Sequence, residues 1–318
     1  MAGTNGRDSA ALRGVILGAV ASVLAIAGCG ASQSSAEAQA KNGPGGGATE
    51  VTSTSVKPAE PAPKTITLVK HSAVVGEVAT ITSESRLAMS VRGATGGPSA
   101  LSLSSVTSMT LREECLEVVD RACTKVKADV IAHDVQVDTG SGPEPTTSSM
   151  RGKSYVLTRA DKSWTITDAT TGKPATAEET SALGASRIYN ESAFTDALPE
   201  TLVVGQSLEG LASLIERQLS ESKVGPTSVE VRVKGVRRLK GVEVVVASMR
   251  TSLASPADSA RVVAALSGEL LILVDGALPT ALEFSGPLTL VSPSLNGAGT
   301  ASFRQSASYS RPAGAGNH

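Results

Sequence analysis

The stretch Ser228-Val229-Glu230-Val231-Arg232-Val233-Lys234 alternates apolar with polar or charged residues without a break. Successive side chains on a strand point to opposite faces, so this pattern describes a half-buried strand with Val229, Val231 and Val233 on the core side. The same period of two runs outward in both directions. Toward the C-terminus, strands are expected over 242–252, 261–266, 269–274 and 280–290, with a last alternating segment over 300–309. Toward the N-terminus, Ile66 and Leu68, then Val78, Thr80 and Thr82, then Leu87, Met89 and Val91 read the same way. Leu101 and Leu103, followed by Val106, Met109 and Leu111, suggest another half-buried strand. Residues 107–118 and 124–137 form the two strand-like halves of one run, the second carrying Val126, Ala128 and Val130 inward. Residues 138–145 are a dense turn-and-loop signal rich in Gly, Pro, Ser and Asp. Two short strands over 153–159 and 163–168 follow, and Thr170-Thr-Gly-Lys-Pro174 closes them.

Two segments break this rhythm with helical spacing. Thr176 followed by Glu179 has the form of a capping box, in which each residue satisfies a backbone N–H at the start of a helix. That helix is expected to run to about Ile188. Beyond Ser207, Leu208, Leu211, Ala212, Ile215 and Leu219 fall on one helical face, with Leu214 widening it and Gly225-Pro226 as the stop. The fold class that follows is mainly β (α+β): a large curved antiparallel sheet or incomplete barrel with two short helices packed on it. Val74-Val75-Gly76 resembles Val203-Val204-Gly205, and Met150–Leu157 resembles Leu266–Leu273, each followed by another strand and a glycine, Gly172 or Gly286. Two pseudo-repeated halves, 65–172 and 200–311, are one reading; a chance match between β-rich segments is the other.

Composition narrows the chemistry. The formal net charge is −1 and the whole chain holds three Phe, three Tyr and one Trp, so the basic footprint of a nucleic-acid binder is missing, stacking platforms for bases are few, and no nucleic-acid partner is expected. His71, His133 and His318 are scattered and have no Cys/His spacing, so no metal and no other cofactor is expected. Apart from Cys29, the cysteines are Cys115 and Cys123, an even pair that in an oxidising compartment reads as a disulfide across a hairpin.

Several motifs resemble catalytic signatures and are better read as structure. Asp138-Thr139-Gly140-Ser141-Gly142 has the form of an aspartic-protease loop, but that chemistry needs a second carboxylate to share the proton, and no second Asp-Thr/Ser-Gly follows. Turn-forming residues produce such strings on their own. Ser220-Glu-Ser-Lys223 has Ser-x-x-Lys spacing without the companion elements of penicillin-binding enzymes, and it sits at a helix end. Tyr155 and Trp164, on neighbouring strands, read as core packing rather than as the lining of an apolar pocket. Arg232, Lys234, Arg237, Arg238 and Lys240 span a hairpin turn and read as a solvated, edge-protecting run; contact with anionic lipid headgroups is the functional alternative. No catalytic residue is assigned.

The N-terminal end carries an address. Arg7 and Arg13 precede the apolar run 15–27, which at roughly 13 residues is short of the ~20 needed to span a bilayer as a helix. The run ends in Leu24-Ala25-Ile26-Ala27-Gly28-Cys29. This resembles a bacterial lipobox, the type II signal-peptide motif. The resemblance implies that residues 1–28 are a cleaved leader and that Cys29 is acylated and holds the chain to a membrane. Gly30 in place of Asp resembles the outer-membrane sorting pattern, which implies an extracytoplasmic, outer-membrane location in the cell envelope. Residues 29–64, rich in Ala, Ser, Gly and Pro, cannot bury enough apolar area to order themselves and read as a tether with an r.m.s. span of roughly 30–35 Å.

The body, 65–311, ahead of a polar tail at 312–318, resembles β-rich bacterial lipoproteins and, distantly, the lipoprotein-localisation (Lol) carriers, by element order alone. That resemblance implies a curved incomplete barrel that holds acyl chains, and it assigns no ligand-binding residue. The functional expectation is a non-catalytic, membrane-anchored envelope lipoprotein acting as a binding or scaffolding module for lipid, another apolar ligand or an envelope protein. The alternatives are an accessory subunit of an envelope complex and an unrecognised hydrolase.

Overall fold

Period-two patterning is realised as long antiparallel strands. The structure, a computed structural model, describes residues 64–93, 100–140, 142–160, 163–186, 191–220, 225–254, 261–293 and 295–312. Within them the chain forms β1 (Thr65–Thr67), β2 (Val69–Lys70), β3 (Val78–Gly93), β4 (Leu101–Val119), β5 (Ala122–Asp138), β6 (Pro143–Thr147), β7 (Ser154–Ala160) and β8 (Ser163–Asp168). Then come α1 (Ala177–Ser186), α2 (Glu191–Ala197), β9 (Thr201–Val203) and α3 (Glu209–Ser220). The C-terminal part is β10 (Gly225–Leu239), β11 (Val242–Ala254), β12 (Arg261–Leu273), β13 (Asp275–Gly276), β14 (Pro279–Val291) and β15 (Leu295–Ser310). Cys29, the leader, the tether and most of the polar tail lie outside the described residues.

An 11-stranded antiparallel sheet dominates, in the order β10-β11-β12-β14-β15-β3-β4-β5-β7-β8, with β6 beside β5. Two meanders, one from each end of the sequence, are welded by β15 against β3, from Ser310↔Val78 to Leu295↔Gly93. The sheet does not close: β8 and β10 are its two ends. Each free edge is partly covered by the segment that connects them. Ala175 N donates to Ile166 O beside β8, and on β10 Gly205 N donates to Val233 O and Leu208 N to Val231 O. Covering an edge in this way removes a template for intermolecular pairing.

One face of the sheet forms the core. Leu87, Met89 and Val91 on β3, Met109 and Leu111 on β4, Leu282 and Leu288 on β14, and Phe303 on β15 all turn inward and join one apolar cluster with Leu183, Leu208 and Leu211 of the helical segment. The alternation holds, but its phase at the start of β3 is the opposite of the one expected. Ala79 and Ile81 are buried, whereas Thr80 and Thr82 are exposed. The β-branched Val78, Thr80 and Thr82 suit either face of a strand, and burial of the isoleucine outweighs that of two hydroxyls. On β4, likewise, buried Ser105 takes the inward place and Val106 is half-buried on the other face.

Several expected pairs of short strands are single long ones. Ser83-Glu84-Ser85-Arg86 interrupts the apolar pattern of β3, yet its backbone stays paired to β4 and β15. Glu84 and Arg86 meet across the exposed face at 2.7 Å. The segments 261–266 and 269–274 are united in the same way within β12, which runs to Leu273. Residues 143–147 are a strand, not loop, because β6 pairs with β5 alone and an edge position tolerates Pro143 and Pro145. A third helix, α2, lay beneath the expectation of two; it spans only Glu191–Ala197, too short for a readable period. Gly225-Pro226 opens β10.

Curvature has a local cause at inward-facing glycines. A Cβ on Gly268 would lie 1.8 Å from Glu283 O, on Gly286 1.9 Å from Ala265 O, and on Gly299 2.0 Å from Ala88 O. The backbones of adjacent strands approach one another through these missing side chains, as glycine kinks do in coiled sheets. Phe284 lies opposite Gly268 and packs on Phe303 with ring centroids 5.2 Å apart, filling the space over the kink. Gly152 and Gly268, matched in the internal resemblance, occupy different settings: a positive-φ turn (78°) before β7 and the middle of β12.

Cys115 and Cys123 form a disulfide across the β4–β5 hairpin. The turn it supports places Asp120 (φ 49°) and Arg121 (φ 65°) in the left-handed region, which a two-residue hairpin turn requires and glycine or asparagine usually supplies. Closing a loop of about nine residues contributes roughly 2.5 kcal/mol in the chain-entropy model. The double variant Cys115→Ala/Cys123→Ala is therefore expected to lose about 2.5 kcal/mol. Urea unfolding measures it, and an unchanged midpoint would mean that the bridge does not constrain the unfolded chain.

Candidate functional site

The inner face is apolar with a sparse set of buried polar groups. His133 arrives there through a bulge. Up to Val130 the even positions of β5 face inward, the register then slips by one residue between Leu111↔Val130 and Thr110↔Ala132, and His133 turns in. Bulges re-aim side chains in this way. The slip sits where the neighbour of β5 changes from β7, at 125–129, to β6, at 134–138. His133 Nδ1 is buried without a hydrogen-bond partner, as is Ser105 Oγ. Burial pushes the imidazole of His133 below its ordinary pKa, against the opposing pull of Asp134 and Glu178. Glu113 is buried between Ala128 and Ala79 of the flanking strands, whose small side chains leave room for it. Gln305 is buried further along the sheet.

The strongest polar node joins α1 to the sheet. The expected capping box is present: Glu179 N donates to Thr176 Oγ1 at 3.2 Å and Thr176 N donates to Glu179 Oε2 at 2.8 Å. The other carboxylate oxygen accepts from Lys153 Nζ at 2.7 Å and from the buried Tyr155 hydroxyl at 2.8 Å. The Lys153 ammonium, then the Thr176 N–H and the Tyr155 hydroxyl, hold the Glu179 carboxyl down to a pKa of about 2. Both oxygens of Glu179 are engaged, one in capping the helix and the other in tying it to Lys153 and to Tyr155 of β7, so this is a structural lock. The Thr-x-x-Glu signal was legible in the sequence; Lys153 and Tyr155 as its partners were not.

The other residues singled out by sequence fall into place as follows. Asp138 Oδ1 accepts from Gly140 N at 2.7 Å and Gly142 N at 3.1 Å, a turn-building role. It borders a shallow trough of about 460 Å³ between β3, β4 and β15, lined by Ser90, Ser102, Ser104 and Thr300 together with Met89 and Leu103. Ser220 ends α3, and Lys223 lies outside the described residues. Tyr155 is fully buried and Trp164 half-buried; they are set at opposite ends of the β7–β8 pair, Tyr155 facing Asp168 and Trp164 facing Arg159. Of the basic run, Arg232 bonds Glu230 at 3.1 Å, Arg237 meets Glu269 at 3.7 Å, and Arg238 donates to Gly241 O. Among the described residues no group of three or more His, Cys, Asp or Glu is placed to hold a metal ion, and no helix is long and apolar enough to cross a membrane.

A feature that sequence reasoning missed lies at the rim formed by the β4–β5 and β10–β11 turns. Segment 69–77 runs along this rim between the two. Val274 N donates to Glu243 O, Val69 N to Val274 O, Ala73 N to Arg121 O and Gly76 N to Cys115 O. It is fastened from behind by His71, whose Nε2 lies 3.2 Å from Glu77 Oε2, and by Arg311, which donates to Ser72 O. Along this edge Val69, Val75, Leu116, Val119, Leu239 and Val242 are all exposed, with Val75 at 59%. No local period announces them, because the six residues come from three separated segments.

No family model matches the chain, and no curated protein matches it. Among solved structures it is similar to lipovitellin, from a study of lipid–protein interactions in that protein, at 7% identity and a TM-score of 0.35, over 77% of this chain. The chain spans only 26% of that lipovitellin chain. It is also similar to DynF of the dynemicin biosynthesis pathway of Micromonospora chersina, at 9% identity and a TM-score of 0.21, over 80% of this chain and 94% of DynF. A DUF1329 family protein from Desulfovibrio piger follows, at 8% identity and a TM-score of 0.14, over 74% of this chain and 87% of that one. None of these likenesses bears on what this chain binds.

Proposed function

We propose that this chain is a non-catalytic, lipid-anchored envelope protein, held at the outer membrane through acyl chains on Cys29, whose β-rich body is a binding or scaffolding module for an apolar partner. The observation that carries the reading is the contrast between the two apolar surfaces of the body. Among the described residues, inner-face side chains such as Leu111, Val233 and Ile272 are fully buried, at 0% exposure. The rim, by contrast, leaves six large apolar side chains in solvent along one edge of the sheet, and exposed apolar surface concentrated on one side marks an interaction site. Binding from the surface is therefore favoured over enclosure of a ligand.

A second reading, carriage of an acyl chain inside the sheet, draws on Ser105 Oγ and His133 Nδ1, buried and without hydrogen-bond partners on the inner face. One preparation tests both. Intact-mass analysis of the membrane fraction is expected to show a chain beginning at Cys29 with acyl mass attached, and Cys29→Ser is expected to accumulate as unlipidated precursor. Unchanged mass and fractionation in that variant would remove the anchor. Solvent extraction of the purified chain, which leaves covalent acyl chains on Cys29, is expected to release no stoichiometric lipid; a released lipid would favour carriage over surface binding.

A further inference from the structure

We propose that the rim carrying Val69, Val75, Leu116, Val119, Leu239 and Val242 is a membrane-docking edge that dips into the lipid surface to which the chain is tethered. This rests on the lipid-anchor reading of Cys29 and adds to it an orientation: the body sits on the bilayer with its hairpin tips down.

The case begins with where the tether joins the body. Lys64, the first described residue, is held by the bond from Val204 N to its carbonyl, and Val69 stands five positions later on the rim. At about 3.3–3.6 Å per extended residue, the junction lies within roughly 18 Å of the rim along the chain. On the tether reading of the sequence, a coil of the length of residues 29–64 has an r.m.s. span of roughly 30–35 Å, which keeps that edge within reach of the membrane. For a surface held so close, even weak apolar insertion is effective, because the second contact is intramolecular.

Chemistry fits a lipid surface and sets the mode of contact. The side chains are valine and leucine on hairpin tips and a strap, sites able to penetrate an interface without exposing unpaired strand edges. The exposed charges beside them nearly balance: Arg121, Arg237, Arg238, Lys240 and Arg311 against Glu117, Asp120, Glu243 and Asp275. Attraction to anionic headgroups therefore has little net charge to act on, and apolar burial drives the contact. The turns themselves are rigid. Asp120 and Arg121 are held by the disulfide hairpin, and Lys240 (φ 48°) with Gly241 (φ 86°) forms a second tight turn. Rigid tips lose little conformational freedom when they insert.

The test uses the full chain, with Cys29 intact, reconstituted into phosphatidylcholine vesicles whose acyl chains carry bromine, a contact quencher of indole fluorescence. V119W and V242W place a reporter on the rim; V291W places one on an exposed valine at the other end of the strands, with Trp164 as a background common to all three. V119W and V242W are expected to be quenched at least about twofold more than V291W, and to remain so in high salt, since apolar insertion is not screened. Equal quenching at the three positions would overturn the docking edge and leave the rim to a protein partner. Intact mass of the same samples reports lipidation separately, so a lipidated chain with an unquenched rim removes the docking edge and leaves the anchor standing.

Discussion

Gly268→Ala is expected to destabilise the protein by more than about 3 kcal/mol, or to prevent folding, although it adds one methyl group to a β-strand. In an ordinary strand interior the same change would be neutral or mildly stabilising, because alanine loses less backbone entropy on folding. Here the new Cβ would lie 1.8 Å from Glu283 O and 2.6 Å from Phe284 Cα. Both are backbone atoms of the paired strand β14, so no rotamer change relieves the overlap, and β12 and β14 must separate at their closest approach. Gly93→Ala is the matching control, since a Cβ there meets nothing within 4 Å and the residue has no positive φ. Chemical denaturation of the two variants should show a large loss at Gly268 and a change within about 0.5 kcal/mol at Gly93. Similar behaviour of the two would mean that glycine does not set the curvature of the sheet.

The second large effect concerns Glu179. Glu179→Ala removes the acceptor for Thr176 N, Lys153 Nζ and the Tyr155 hydroxyl together, and the last is left buried without its partner. Loss of a charged acceptor from buried donors and of a helix cap costs about 3 kcal/mol. The pH dependence follows from the same contacts. The carboxyl is lowered from 4.5 to about 2 in the folded state, chiefly by Lys153, so its contribution is fully present above pH 4.5 and is lost as the pH falls toward 2. In the wild type, stability should decline across this interval. In Glu179→Gln, which keeps an acceptor for the cap but carries no charge, that part of the decline should disappear. Thermal melts between pH 2 and 6 check this, and parallel curves for wild type and Glu179→Gln would contradict it.

These two residues mark how far local reading reaches. The Thr176–Glu179 capping box was visible in the sequence because its four residues are contiguous and its physics is local. So was the pairing of Cys115 with Cys123, separated by a run that turns back on itself. Gly268 was visible only as part of an internal resemblance to Gly152; the close approach of Glu283 that gives it meaning depends on the register of a neighbouring strand. The phase of β3 could not be settled locally because Val78, Thr80 and Thr82 make as plausible a face as Ala79 and Ile81 until the neighbours are known. His133 points inward only because the register of β5 slips where its partner strand changes.

By itself, the sequence determined the class of structure and carries the expectation of an address. Alternation such as Val229-Val231-Val233 demands a half-buried sheet whatever its neighbours, and the lipobox-like Leu24–Cys29 run needs no fold to be read. Tertiary structure alone decided that β3 pairs with β15 across more than two hundred residues, that 173–208 links and partly covers the two open edges, and that three distant segments share one apolar rim. The reason is physical. A strand's pattern specifies which side is buried but not against which strand, and pairing between distant segments is chosen by the burial of the whole sheet at once.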